Sequence, residues 1–165
     1  MKRNLFVIAT FALLAACNSR VQDTAQTPPT GTIATQTESR VIFPDGFTVR
    51  IEIAADDATR EQGLMYRDRL AEDAGMLFFF TKTDEYPFWM KNTLIPLDII
   101  WLDEQRRIVH IGRDIPPCRA EPCVSYAPGA KARYVLEIAA GVAAKHHLAE
   151  GSVLRFEGVE RVVVR

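Results

Sequence analysis

Phe88-Trp89-Met90-Lys91-Asn92-Thr93-Leu94-Ile95-Pro96-Leu97-Asp98 places the heaviest apolar side chains beside a cation, an amide and a carboxylate in one short run. If this run is extended, alternation sends Trp89, Lys91 and Thr93 to one side and Phe88, Met90 and Asn92 to the other, so each face mixes apolar and polar groups. Asparagine is depleted in strands, and neither Asn92 nor the Lys91 ammonium can be buried without partners. A short strand that ends at a cleft or a hydrogen-bonded corner is therefore expected. Pro87 and Pro96 bracket it, and proline cannot donate to a ladder.

Working outward, Val41-Ile42-Phe43 and Phe47 to Ile53 flank Pro44-Asp45-Gly46, in which proline presets φ and glycine supplies a positive one, so the spacing predicts a hairpin. Its second strand puts Phe47, Val49, Ile51 and Ile53 on one face and Thr48, Arg50 and Glu52 on the other. Asp56 or Asp57 caps a helix of two turns that Gly63 ends. Met76 to Phe80 reads as a buried strand, followed by a polar turn over Thr81 to Tyr86. Leu97 to Leu102 pairs with Arg107 to Ile111, Arg133 to Ile138 is a strand, and Ala139 to Leu148 is a short helix. Val153 to Phe156 and Val159 to Val164 would close the chain as a hairpin around Glu157-Gly158. About eight short strands with turns between them favour a mainly β fold over a βαβ design: a single compact antiparallel β-sandwich or barrel with two short helices.

Arg60 to Leu70 (REQGLMYRDRL), Gly75-Met76-Leu77-Phe78, the FWMKNTLIPLD run and Val135-Leu136-Glu137 resemble, in order and spacing, the domain-of-unknown-function family numbered 192. The resemblance spans nearly all of the chain after residue 39. It implies a compact, mainly β domain and no established activity, so it informs the fold far more than the function.

The N-terminal residues are expected to lie outside that domain. Lys2 and Arg3 precede an uncharged apolar run, Leu5 to Leu14, that is too short for a resident transmembrane helix, so residues 1–16 read as a signal peptide. Leu14-Ala15-Ala16-Cys17 resembles the processing box of bacterial lipoproteins, with Cys17 as the lipid-bearing residue. Asn18 after it resembles outer-membrane sorting, which predicts a lipid anchor at the periplasmic face of that membrane. The alternative is an ordinary secretory signal. Residues 18–39 contain no aromatic side chain and are rich in Thr, Gln, Ser and Pro, so residues 17–39 read as a lipidated cysteine and a tether spanning on the order of 25 Å.

Residues 40–165 are long enough for one domain with a core. Of 20 basic residues, Lys2 and Arg3 belong to the leader, which leaves 18 against 21 acidic ones, a formal charge of −3. No basic run with interleaved aromatics is present, which argues against a nucleic-acid partner. Contact with the membrane is expected through the N-terminal lipid alone.

Cys118 and Cys123 remain as an even pair in an exported chain, and a structural disulfide is expected, with a metal or redox pair as the alternative. Closing so short a loop stabilises by roughly 2 kcal/mol in the chain-entropy model.

Arg60, Arg67, Lys91, Asn92, Asp98 and Glu137 fall within the family-like segments. They could converge with Trp89 on a cleft for an anionic or hydroxylated ligand, since the arginine fork suits carboxylate or phosphate. The alternative is a polar network that pins strand ends, with Asp98 and Glu137 paired to the arginines. Trp89 and Tyr126 could form an aromatic platform, or Trp89 could be core. Met65, Met76 and Met90 could bind Cu(I), or simply fill an irregular core. His146 and His147 are adjacent and lack helical metal spacing, and His110 alternates with apolar neighbours, so no metal site is assigned to them. No phosphate-binding glycine loop, nucleophile elbow or dinucleotide fingerprint occurs, and no cofactor is expected.

These residues lead to an envelope-anchored domain that binds a small polar or glycan-like ligand, or an envelope protein, through a cleft near Trp89 to Asp98. The rival reading is a hydrolase of cell-wall or sugar substrates with Asp98 or Glu137 as general base, which requires an accessible carboxylate of raised pKa.

Overall fold

The computed structural model describes residues 38–165. The expected leader, Cys17 and most of the expected tether lie outside them. The described residues form nine strands and two short helices in the order β1 (Arg40–Ile42), β2 (Thr48–Ala54), α1 (Asp57–Gln62), β3 (Ala74–Asp84), β4 (Phe88–Trp89), β5 (Leu97–Leu102), β6 (Ile108–Ile115), β7 (Ser125–Tyr126), β8 (Ala132–Ala139), α2 (Val142–Lys145) and β9 (Arg155–Glu157).

Seven strands make one sheet in the order β6-β5-β8-β3-β2-β1-β9, and β4 and β7 make a separate ribbon. The sheet curls until its edges meet. The Ile108 N–H donates to the Ser152 carbonyl at 2.8 Å, the Leu154 N–H to the Arg106 carbonyl at 3.0 Å, and Arg107 bridges Val153. These contacts cover part of the rims of the two edge strands, where unpaired backbone invites aggregation. The fold is mainly β and half-barrel-like, as the strand count and turn spacing led one to expect. One pair departs from the antiparallel expectation: β2 and β3 run parallel, because α1 and the segment to Asp73 carry the chain back over the sheet between them.

The middle strands are covered on both faces. Leu77, Ile100, Leu102, Leu136 and Ile138 turn to the concave side with Val41, Val49 and Phe156. Met76, Phe78, Leu97, Ile99, Trp101 and Val135 turn to the other side, where Leu64, Met90 and the partly buried Phe88 and Tyr126 pack on them. Two buried faces explain why Leu97–Leu102 is apolar almost throughout instead of alternating.

Three local expectations change. The Thr81 to Asp84 segment continues β3 as strand. The helix expected over Ala139 to Leu148 shrinks to the single turn of α2. The closing hairpin around Glu157-Gly158 does not form. β9 pairs with β1 instead, while partly buried Val159, Val162 and Val164 lie against the concave-side core and the Arg165 N–H donates to the Ala55 carbonyl at 2.8 Å. β1 offered β9 a long-range edge that no local pattern encodes.

Candidate functional site

Asp56 caps α1 by accepting from the Thr59 N–H at 2.9 Å, with Thr59 completing a reciprocal box. Gly63 ends the helix at φ +47, and a Cβ there would stand 3.3 Å from Phe78 Cζ and 3.6 Å from Glu137 Oε2. The positive φ and the tight approach to the Phe78 ring favour glycine here, while Glu137 lies at ordinary contact distance. Leu64 then enters the core, and Met65 and Tyr66 return to the surface. Tyr66 is held at φ +64, a costly geometry for a bulky residue, by donating its N–H to the Asn92 carbonyl at 2.8 Å.

The central run does not stay extended. β4 covers only Phe88 and Trp89, and the chain then turns, with the Thr93 N–H donating to the Met90 carbonyl at 3.2 Å and Asn92 at φ +56. Asparagine tolerates that region better than most residues, which gives the unexpected amide a reason to be there. The two-sided alternation therefore fails beyond Trp89: Met90 and Thr93 are buried, whereas Trp89 remains 46% exposed. The hydrogen-bonded corner that the sequence suggested is present, with the Asn92 amide donating to the Tyr66 hydroxyl at 2.9 Å.

Between α1 and this turn lies an open groove of about 560 Å³, lined by Ala58, Glu61, Gln62, Met65, Tyr66, Trp89, Lys91 and Asn92. Tyr66 is 69% exposed, so the groove has two uncovered aromatic side chains among its walls. Lys91 holds its ammonium 5.3 Å from the centre of the Trp89 ring and 3.2 Å from a Glu121 carboxylate oxygen. The Lys91 hydrogen bond, followed by the Cys123 N–H, keeps Glu121 below the usual carboxylate range. Glu121 belongs to the loop closed by the Cys118–Cys123 disulfide, whose Cα atoms are 5.6 Å apart. The expected cross-link is present, and its loop is fastened to the turn through the Cys118 N–H and the Met90 carbonyl at 3.3 Å.

Sharing Glu61, Gln62, Met65 and Trp89 with the groove is a small cavity of about 30 Å³, bordered also by Arg60, Phe78, Phe88, Thr93 and Glu137. Glu137 projects from β8 toward the face of the sheet that Leu64 and Met90 cover. It is 5% exposed, and its Oε2 is buried without a hydrogen-bond partner. Burial pushes its carboxyl up to about 8, against the lowering pull of the Arg67 guanidinium and the Leu64 N–H.

The structure thus brings Arg60, Trp89, Lys91, Asn92 and Glu137 around one region and leaves other expected residues elsewhere. Both arginine forks are engaged by protein. Arg67 grips Glu52 through two bonds of 2.6 and 2.7 Å, and Arg60 donates to the Phe79 carbonyl at 2.9 Å and to Asp57 at 2.7 Å. Asp98 lies outside the groove, fully buried, accepting from the Asp114 and Ala143 N–H groups at 2.9 Å each. It pins β6 and the start of α2, so it is neither an open base nor an arginine partner. Tyr126 stands opposite Phe88 in the ribbon, not opposite Trp89, and packs against the core, so those two aromatics form no platform. Met76 and Met90 are sealed in the core while Met65 lines the groove, an arrangement that gives the thioethers a filling role. Among the described residues no group of three or more His, Cys, Asp or Glu side chains is placed to hold a metal ion.

Sequence reasoning passed over Tyr66, Gln62 and Glu61. All three stood inside the REQGLMYRDRL segment, but its arginines drew attention first. No single-residue signal announces that a tyrosine is exposed in a left-handed turn.

Two solved structures resemble this chain closely. One is a proposed transcription regulator from Sinorhizobium meliloti 1021, 36% identical, with a TM-score of 0.63 over 73% of this chain and 93% of the other. The second is a protein of unknown function from Novosphingobium aromaticivorans DSM 12444, 33% identical, with a TM-score of 0.63 over 72% of this chain and 83% of that one. A comparison with curated proteins finds no match. The model of the DUF192 family, described as an uncharacterized ACR, matches residues 40–156, and the chain belongs to that family.

Proposed function

We propose that this chain is an envelope-tethered domain that binds a small polar, glycan-like ligand in the groove between α1 and the Trp89 to Asn92 turn. The observation that carries the reading is the pair of uncovered aromatics, Trp89 and Tyr66, in a groove of about 560 Å³ that also presents Glu61, Gln62 and Asn92. That volume falls in the range of small-molecule sites, and apolar ring faces beside amides and a carboxylate suit a sugar's alternating C–H and O–H surfaces. Asn92 and Tyr66 hold each other, so the walls are set before a ligand arrives. The regulator designation belongs to the neighbouring structure. In this chain Arg60, Arg67 and Lys91 are each paired with a carboxylate, which supports a non-nucleic ligand.

Calorimetric titration with short oligosaccharides of the cell-wall type tests the proposal. Trp89→Ala should weaken binding at least about tenfold, the weight of one good stacking contact, without moving the melting point. Oligosaccharide affinity that is the same with and without the Trp89 ring would reject it. Attachment through Cys17 belongs to the same proposal, and Cys17→Ser should abolish both acyl labelling and membrane fractionation.

A hydrolase is the second reading, favoured by the raised carboxyl of Glu137 bordering the same region. It needs Glu137 as proton donor, because Asp98 has both oxygens held by backbone. Turnover of the same oligosaccharides, lost in Glu137→Gln, would establish it, and intact oligosaccharides after prolonged incubation would exclude it.

A further inference from the structure

We infer that the small cavity beside Trp89 is a subsite for a protonated primary amine on the groove's ligand, with the Glu137 carboxylate as its counter-ion. This rests on the ligand-binding reading of the groove and narrows the ligand to one bearing an ammonium group, such as an amino sugar whose nitrogen is not acylated.

Charge pairing carries the inference. Around the groove and cavity Arg60 is paired with Asp57, Arg67 with Glu52 and Lys91 with Glu121. Glu61 and Glu137 also border the cavity, and neither has a cationic partner within salt-bridge distance among the described residues. The groups left without an ionic partner are therefore the acidic ones, the reverse of what a count of the arginines suggests. Glu137 adds the geometric half of the case, an acceptor oxygen buried with no donor to meet it. Such an atom is costly to leave unmatched, and an ammonium, which brings three hydrogens, recovers that cost. Phe78, Phe88 and Trp89 contribute aromatic walls, which favour a cation over a neutral hydroxyl. A volume of about 30 Å³ admits an ammonium and excludes a sugar ring, so the remainder of the ligand must stay in the groove.

Proton balance follows. In the empty site burial keeps the Glu137 carboxyl protonated up to about 8. Entry of R–NH3⁺ replaces that proton: the carboxyl releases H⁺ to solvent, and the resulting carboxylate accepts from the ammonium. No covalent bond to the ligand is made or broken.

The test compares the glucosamine trimer with its fully N-acetylated counterpart by calorimetry near pH 6, where both the amine and Glu137 are protonated. Two buffers of different ionisation enthalpy report the proton count. The free-amine trimer should bind at least about tenfold more tightly and release close to one proton per site, and Glu137→Gln should bring the affinity ratio of the two trimers close to one and abolish the proton release. Proton release is read on the wild-type chain, so the test survives a variant that folds poorly. Equal affinities for the two trimers, or tight amine binding without proton release, would overturn the subsite and leave the groove standing. Failure of both trimers to bind would overturn the groove reading, and the subsite with it.

Discussion

Replacing Glu137 by glutamine should change how stability depends on pH before any ligand is considered. The side chain is 5% exposed, and its carboxyl stands at about 8 in the folded protein against 4.5 for an ordinary glutamate. Between those values the unfolded chain has released the proton and the folded chain retains it. Stability therefore falls as pH rises, by about 1.4 kcal/mol per pH unit. The contribution is whole below pH 4.5 and gone above about 8. Across that window the loss is on the order of 5 kcal/mol, an upper figure because the adjoining cavity is large enough for a water that would ease the burial. Glutamine keeps the shape and cannot titrate. Urea unfolding followed through buried Trp101 at several pH values should give a variant that gains on the wild type steadily from pH 4.5 to about 8 and levels off beyond. All other titrating groups are common to both proteins, so their effects largely cancel in the difference. A difference that stays constant over this range would show that Glu137 ionises normally and that its environment has been misread.

Three further outcomes follow from the same contacts. Arg67→Ala removes the charge that pulls the Glu137 proton off, so the Glu137 carboxyl should titrate at still higher pH, as carbon-detected NMR of the side chain would show. Asp98→Ala leaves the buried Ala143 N–H and the part-buried Asp114 N–H without acceptors and should cost about 2 to 4 kcal/mol in urea unfolding, with oligosaccharide affinity unchanged. Replacing Cys118 and Cys123 together by serine should lower stability by about 2 kcal/mol from loop entropy, and should weaken the Lys91–Glu121 contact that the closed loop presents.

Much of the sheet was legible because its determinants are local. Pro44-Asp45-Gly46 encodes a turn, Asp56 and Gly63 encode the ends of a helix, and alternation in β2 encodes a dry and a wet face. The cysteine pair was legible from its even number once export was expected. What failed depends on distant chain. β9 was assigned to the wrong neighbour because β1, which it joins, lies more than a hundred residues earlier. Asp98 was grouped with the site by its place in the FWMKNTLIPLD run, yet its carboxylate meets backbone donors of β6 and α2. The arginines suggested an anionic ligand because a sequence shows charges without showing their partners. Glu52, Asp57 and Glu121 come from three separate segments to neutralise the cations, and only folding reveals that the unmatched groups are Glu61 and Glu137.

The groove holds or fails on its exposed ring. The chain has two tryptophans, and their indole N–H resonances distinguish surface from interior: Trp89 is 46% exposed, whereas Trp101 is buried and donates to the Tyr86 carbonyl at 2.7 Å. Titrating the labelled protein with the glucosamine trimer should shift the Trp89 signal saturably and leave Trp101 in place. A Trp89 signal that does not move at saturating trimer would contradict ligand binding in this groove.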